Sequence, residues 1–155
     1  MDAITYRLEL DAERHPVLIK ENEEVICVAE PLTEPTKIVE LCDRMLHLKF
    51  LAEETVVMIA VDTKGNILGI FKVSQGTVDT AMCNPREIFI RALLVGASGI
   101  FIVHNHPSGD CSPSNTDLEC AKTIERIGNM IIIRLIDFII IGEKSFYSAK
   151  EDIIG

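Results

Sequence analysis

Residues 104–117 read HNHPSGDCSPSNTD. Gly99–Val103 before them is a short apolar run of strand character, so His104 and His106 stand two apart at a strand end. Side chains two apart on a strand point to the same side, which lets both imidazoles reach one cation. Pro107, Ser108 and Gly109 turn the chain at once, and Ser112-Pro113 opens a helix with Asp117 in its first turn or two. A loop folding back there would bring that carboxylate to the same ion. Two imidazoles and one carboxylate suit zinc and leave a fourth position for water, the mark of a catalytic rather than a structural site. Bland readings compete. His-x-His occurs by chance, and Ser114-Asn115-Thr116-Asp117 also matches a helix capping box that needs no metal. His104-Asn105-His106 invites a nuclease reading, but that motif is spread over a long segment.

Outward from this stretch, strands and helices alternate. Ser112-Pro113 begins a helix expected to end near Gly128-Asn129, and Met130–Ile141 reads as a long strand, with a return at Phe146–Ser148. Upstream, Asn84-Pro85-Arg86-Glu87 starts a helix with an Asn cap, Pro in the first turn and Glu closing a capping box; Gly96 stops it. Glu54–Asp62 and Ile67–Val73 flank the turn Thr63-Lys64-Gly65-Asn66, a hairpin of the core sheet, and Gly76 breaks its second strand. Pro35–Phe50 is expected to be helical, with Ile38, Leu41, Cys42, Met45 and Leu46 on one buried face and His47 off it. Ile4, Tyr6, Leu8 and Leu10 alternate with polar residues, and Val17–Ile19 and Val25–Ala29 follow, giving an N-terminal hairpin or small meander with His15 in a turn.

The length of 155 residues argues for one domain with a core of its own, so a metal here would serve function rather than hold the fold. A formal net charge of −9 without clustered Lys or Arg argues against direct nucleic-acid binding. Arg86, Arg91, Lys122 and Arg126 fall at spacings of solvated helix faces. Cys27, Cys42, Cys83, Cys111 and Cys120 show no C-x-x-C pair, which argues against a disulfide framework or a sulfur-ligated zinc and for reduced thiols in a cytoplasmic protein. Cys111 lies in the metal loop, which already supplies a full ligand set. MDAITYRLELDAE lacks the pattern of a signal peptide. Ile131–Ile141 is too short to span a bilayer and contains Arg134 and Asp137, so no membrane association is expected.

His104-x-His106-Pro107, six residues, then Ser114-x-x-Asp117 resembles the JAMM motif of the JAB/MPN metallopeptidases at every fixed position. The form HNHPSGD with Pro113-Ser114 and Asp117 resembles the RadC branch of that family. Gly76-Thr77, Pro85-Arg86-Glu87, Ile136-Asp137 through Ile140-Ile141-Gly142, and Tyr147-Ser148 extend the likeness from about Pro35 to the end. The resemblance implies an α/β (α+β) fold, the JAB/MPN, cytidine-deaminase-like mixed sheet flanked by helices. It divides the chain into a β-rich N-terminal extension over residues 1–33, packed on the domain, and a metal-binding domain over residues 34–155.

The resemblance also implies roles. His104, His106 and Asp117 take the zinc-ligand positions, and Ser114 that of the serine stabilising an oxyanion. The family's general-base glutamate lies where a helix gives way to a core strand, and Glu54, eight residues before Asp62, stands there. Glu53 is adjacent, but strand alternation turns it the other way. The implied chemistry is hydrolysis of a peptide or isopeptide bond by zinc-activated water. Two departures stand out. The helical DNA-binding module of full-length RadC proteins is not visible in the first 33 or so residues, which weakens an inherited DNA-repair role. Phe138 follows Asp137 where the branch usually has histidine. Two alternatives stay open: a DNA-repair-associated accessory protein that binds metal without protease activity, and a zinc enzyme acting on a non-peptide amide or by a deaminase-like reaction. The expected partner is a protein or peptide substrate, and the apolar N-terminal hairpin allows a homodimer.

Overall fold

The computed structural model describes residues 1–21, 26–76 and 84–150. Val25, Thr77 and Cys83 of the sequence reading lie outside the described residues. In chain order the strands are β1 (Asp2–Ala3), β2 (Thr5–Leu10), β3 (Pro16–Lys20), β4 (Ile26–Cys27), β5 (Glu54–Val61), β6 (Ile67–Gly76), β7 (Gly99–Asn105), β8 (Arg134–Ile141) and β9 (Phe146–Ser148). The helices are α1 (Pro35–Leu46), α2 (Pro85–Leu94) and α3 (Asn115–Ile131), with a 3-10 turn at Leu48–Phe50.

The main sheet runs β3-β2-β6-β5-β7-β8-β9, and β1 pairs with β4 separately. It is mixed. The β2/β6 and β7/β8 pairs are parallel, and the others are antiparallel. Every residue of β5 and β7 is buried because helices cover both faces of the sheet centre. On one face Val56, Met58, Ile100, Ile102, Leu135 and Phe138 meet Ile88, Phe89 and Ala92 of α2 and Cys120, Ala121 and Ile124 of α3. On the other, Val57, Ile59, Phe101, Val103 and Ile139 meet Ile38, Leu41 and Cys42 of α1 and Leu48. The fold is therefore mixed α+β, with the sheet between helical layers. Among the described residues no helix is long and apolar enough to cross a membrane.

Several local expectations are corrected. α1 stops at Leu46, not Phe50, because exposed His47 takes a left-handed conformation (φ 50°) and the next residues tighten into the 3-10 turn. At α2, Asn84 caps without a side-chain hydrogen bond, and the capping box does not form. Glu87 instead receives Arg86 at 2.7 Å and Arg91 at 3.2 Å. Arg91 is not on a solvated face: its side chain is only 12% exposed.

α3 runs through Gly128-Asn129 to Ile131, so residues 130–133 do not belong to β8. The helix was expected to end near Gly128-Asn129, since glycine commonly follows the last helical turn. Gly128 does something else: a Cβ on it would lie 2.3 Å from the Ile133 carbonyl oxygen. Its bare backbone lets the returning chain approach, and its own carbonyl accepts from the Ile133 amide at 2.9 Å. The left-handed cap is Ile132 (φ 60°).

Candidate metal centre

His104 is the penultimate residue of β7 and is almost wholly buried. His106 leaves the sheet just beyond it, its amide donating to the Ile141 carbonyl at the end of β8 (2.9 Å). The chain then turns over Gly109 (φ +86°), whose amide donates back to His106 O at 2.9 Å. The β8–β9 turn supports this loop: the Glu143 amide donates to Gly109 O at 2.8 Å, and a Cβ on Gly142 would lie 2.5 Å from that same oxygen. Ser114 caps α3, which places Asp117 at the third helical position, wholly buried and facing the end of β7.

Glu54, His104, His106 and Asp117 offer ligand atoms within 4.8 Å of one another. His104 Nε2 lies 3.4 Å from Asp117 Oδ1, and His106 Nε2 lies 3.4 Å from Asp117 Oδ2. The outer nitrogens fix the tautomers. His106 Nδ1 is 2.7 Å from the Asp110 carbonyl, which only accepts, so Nδ1 carries the proton, and in the neutral ring that leaves the lone pair on Nε2. His104 Nδ1 is 2.9 Å from Glu54 Oε1, and against an ionised carboxylate it too donates. With both rings neutral, as metal ligation requires, two imidazole lone pairs and a carboxylate converge, acceptor against acceptor. His104 Nε2 and Asp117 Oδ1 are buried without a hydrogen-bond partner among the described residues. Such orphaned acceptors are costly, and a cation would satisfy both. A carboxylate or carbonyl behind each histidine is also the usual support of metal-bound imidazole. The donor set fits zinc.

The capping box and the metal cluster are not rivals here. Asp117 Oδ2 receives the Ser114 amide at 2.7 Å and the Ser114 hydroxyl at 2.8 Å, while the Asp117 amide donates to Ser114 Oγ at 3.1 Å. That leaves Oδ1 free of the cap and toward His104, while Oδ2 serves the cap and also faces His106.

Glu54 begins β5 buried against His104, whereas Glu53 is exposed. Cys111 lies outside the cluster and contacts Ser145 Oγ at 3.2 Å. Phe138 packs its ring edge-on to His104, centroids 5.4 Å apart, so an apolar wall stands beside the imidazole. Three contributors gave no signal in the sequence: Asp110 through its carbonyl, the β8–β9 turn through its backbone, and Asn105, buried between the two histidines. A second group, Asp11, Glu13 and His15, is partly to fully exposed at the β2–β3 turn, where Asp11 accepts the Glu13 and His15 amides. These contacts explain it as turn geometry.

Asp137, on β8 beside Phe138, is buried, and that burial holds its carboxyl above the usual range even though Ser148 Oγ donates to it at 2.6 Å.

Comparison with known proteins follows the same stretch. The RadC-like JAB domain profile matches residues 32–154. The UPF0758 protein of Thermotoga maritima is 33% identical over 81% of this chain and 55% of its own length. That of Clostridium beijerinckii is 38% identical over 77% of this chain and 52% of its own, and that of Halalkalibacterium halodurans 37% over 69% and 46%. The chain thus spans about half the length of the curated relatives it matches.

Proposed function

The chain belongs to the RadC-like JAB domain family, and from that premise we propose that it is a zinc-dependent hydrolase of peptide or isopeptide bonds. The observation that carries the proposal is the buried pair of orphaned acceptors, His104 Nε2 and Asp117 Oδ1. In this reading His104, His106 and Asp117 hold the ion. Zinc in such a site polarises a carbonyl and brings the pKa of water toward neutrality.

The chain's own residues would do the rest. Glu54 keeps one carboxylate oxygen on His104 Nδ1, which holds the ring in register. Its other oxygen would accept the proton of the attacking water and return it to the leaving amine. Ser114, exposed at the helix start, would turn its hydroxyl from Asp117 to the developing oxyanion. The tight loop from Pro107 to Pro113 would border the substrate.

One observation favours the second reading, a metal-binding accessory protein without protease activity: the single hydroxyl proton of Ser114 is already donated to Asp117. Metal content and turnover separate the two. Wild type loaded with zinc and dialysed should hold about one ion per chain, and Asp117→Ala should hold little. Glu54→Gln should keep the ion yet lose roughly 10²–10⁴-fold in hydrolysis of fluorogenic peptide and isopeptide substrates. Hydrolysis unaltered in Glu54→Gln would remove Glu54 as the base, and metal without any hydrolysis in wild type would leave the accessory reading.

A further inference from the structure

We infer that Asn105 is a positioning residue that sets Glu54 against His104 from the opposite face of the sheet. Backbone pairing of β5 with β7 runs from Val61 opposite Gly99 to Val56 opposite His104. One step further on, Thr55 and Asn105 come opposite each other, and there a side chain takes over from the ladder. Asn105 Oδ1 accepts from the Thr55 amide at 2.8 Å. Asn105 Nδ2 donates to Glu53 O at 3.1 Å and to Leu51 O at 3.2 Å.

The Thr55 amide and the Glu53 carbonyl are the peptide groups on either side of Glu54. One side-chain amide thus holds both flanks of the glutamate, using both of its N–H donors and its oxygen. Asn105 is 1% exposed, so solvent has little access to replace these bonds. Strand alternation turns it away from His104 and His106, and it does not belong to the cluster of ligand atoms. Its influence must pass through the backbone of Glu54. Because Asn105 is also bonded to both histidines, it ties the glutamate and the two imidazoles into one unit. Aspartate could not donate to the two carbonyls, and serine, with a single donor, could not serve both of them. The function of the unit rests on the hydrolase reading; its geometry does not.

The test is nuclear magnetic resonance of ¹⁵N-histidine-labelled protein without metal, where long-range ¹H–¹⁵N correlations report which ring nitrogen carries the proton. Wild-type His104 should be the Nδ1–H form. Glu54→Ala, which removes the acceptor, should disturb it, and Asn105→Ala should reproduce that disturbance with Glu54 still present. His106, held by Asp110, should be unchanged in both. Zinc affinity by chelator competition should fall about tenfold in Asn105→Ala, the effect expected of a lost outer support. The double variant with Glu54→Ala should bind no more weakly than the weaker single one. Asn105→Ser serves the same purpose should the alanine variant not fold. A variant that melts earlier yet keeps the wild-type His104 signature and zinc affinity would overturn the inference and reduce Asn105 to scaffold. A wild type that takes up no zinc would defeat the hydrolase reading alone, since the tautomer measurement needs no metal.

Discussion

Gly142→Ala should damage the metal loop from a distance. A Cβ at Gly142 would meet Gly109 O at 2.5 Å, Cys111 N at 3.0 Å and Cys111 Cβ at 3.1 Å. Two of these are backbone atoms, so no side chain can swing away. The Gly109 oxygen is itself held by the Glu143 amide at 2.8 Å, within the same turn. Relief of the clash requires the two turns to separate and that bond to stretch. Overpacking costs about 1–3 kcal/mol, and a weakened hydrogen bond adds about 1 kcal/mol. The total is about 2–4 kcal/mol, or a fall in melting temperature of about 5–15 °C for a domain of this size. The displaced segment contains Asp110, whose carbonyl orients His106, so zinc affinity should fall by about tenfold as well. Thermal melts of the metal-free protein and chelator competition measure the two effects separately. Gly99→Ala is the control. Its Cβ meets the far end of Ile136 at 2.6 Å, a side chain that can yield, at the end of β7 remote from the histidines. It should cost less and leave zinc affinity untouched. A Gly142→Ala protein that melts with wild type and binds zinc as tightly would refute the reasoning.

Ser114→Ala removes two contacts to Asp117, one of them the helix cap, so it should cost about 1 kcal/mol by chemical denaturation and weaken zinc binding about tenfold. Burial raises the Asp137 carboxyl in the folded state, so its contribution to stability is fullest below the unfolded pKa and is lost as pH rises through the folded one. The melting temperature of wild type minus that of Asp137→Asn should therefore decline from acid toward neutral pH; an increase would contradict the assignment. Burial foremost, with Asp43 adding to it, pushes the Cys42 thiol up to about 12. Iodoacetamide at pH 8 should modify exposed Cys27 and spare Cys42 in the native protein, as mass mapping would show.

What the sequence made legible was whatever depends on local pattern. Alternation and turn residues gave the β5–β6 hairpin, and periodicity gave the buried face of α1. The spacing from His104 to Asp117 gave the cluster itself. What failed depends on which of two partners a group meets in three dimensions. Glu87 has the right place for a capping box, but two arginines outbid the backbone for its carboxylate. Gly128 has the right place for a helix stop, but it serves the close passage of Ile133. Asn105 occupies the variable position of His-x-His, and nothing local announces that its partners lie some fifty residues earlier in the chain.

The double duty of Asp117 bears on how such a site would decay over generations. A descendant that stopped using the ion would still draw a helix cap from this aspartate, because its Oδ2 bonds Ser114, set against the cost of the unpartnered Oδ1. Selection for a stable helix would act on Ser114 and Asp117 even after the chemistry was gone. His106 caps no helix: it is only partly buried, and its one side-chain hydrogen bond among the described residues is to the Asp110 carbonyl of its own loop. Among descendants of this chain, the histidine would thus be the sensitive record of a working centre, and the serine and aspartate a record mainly of the helix.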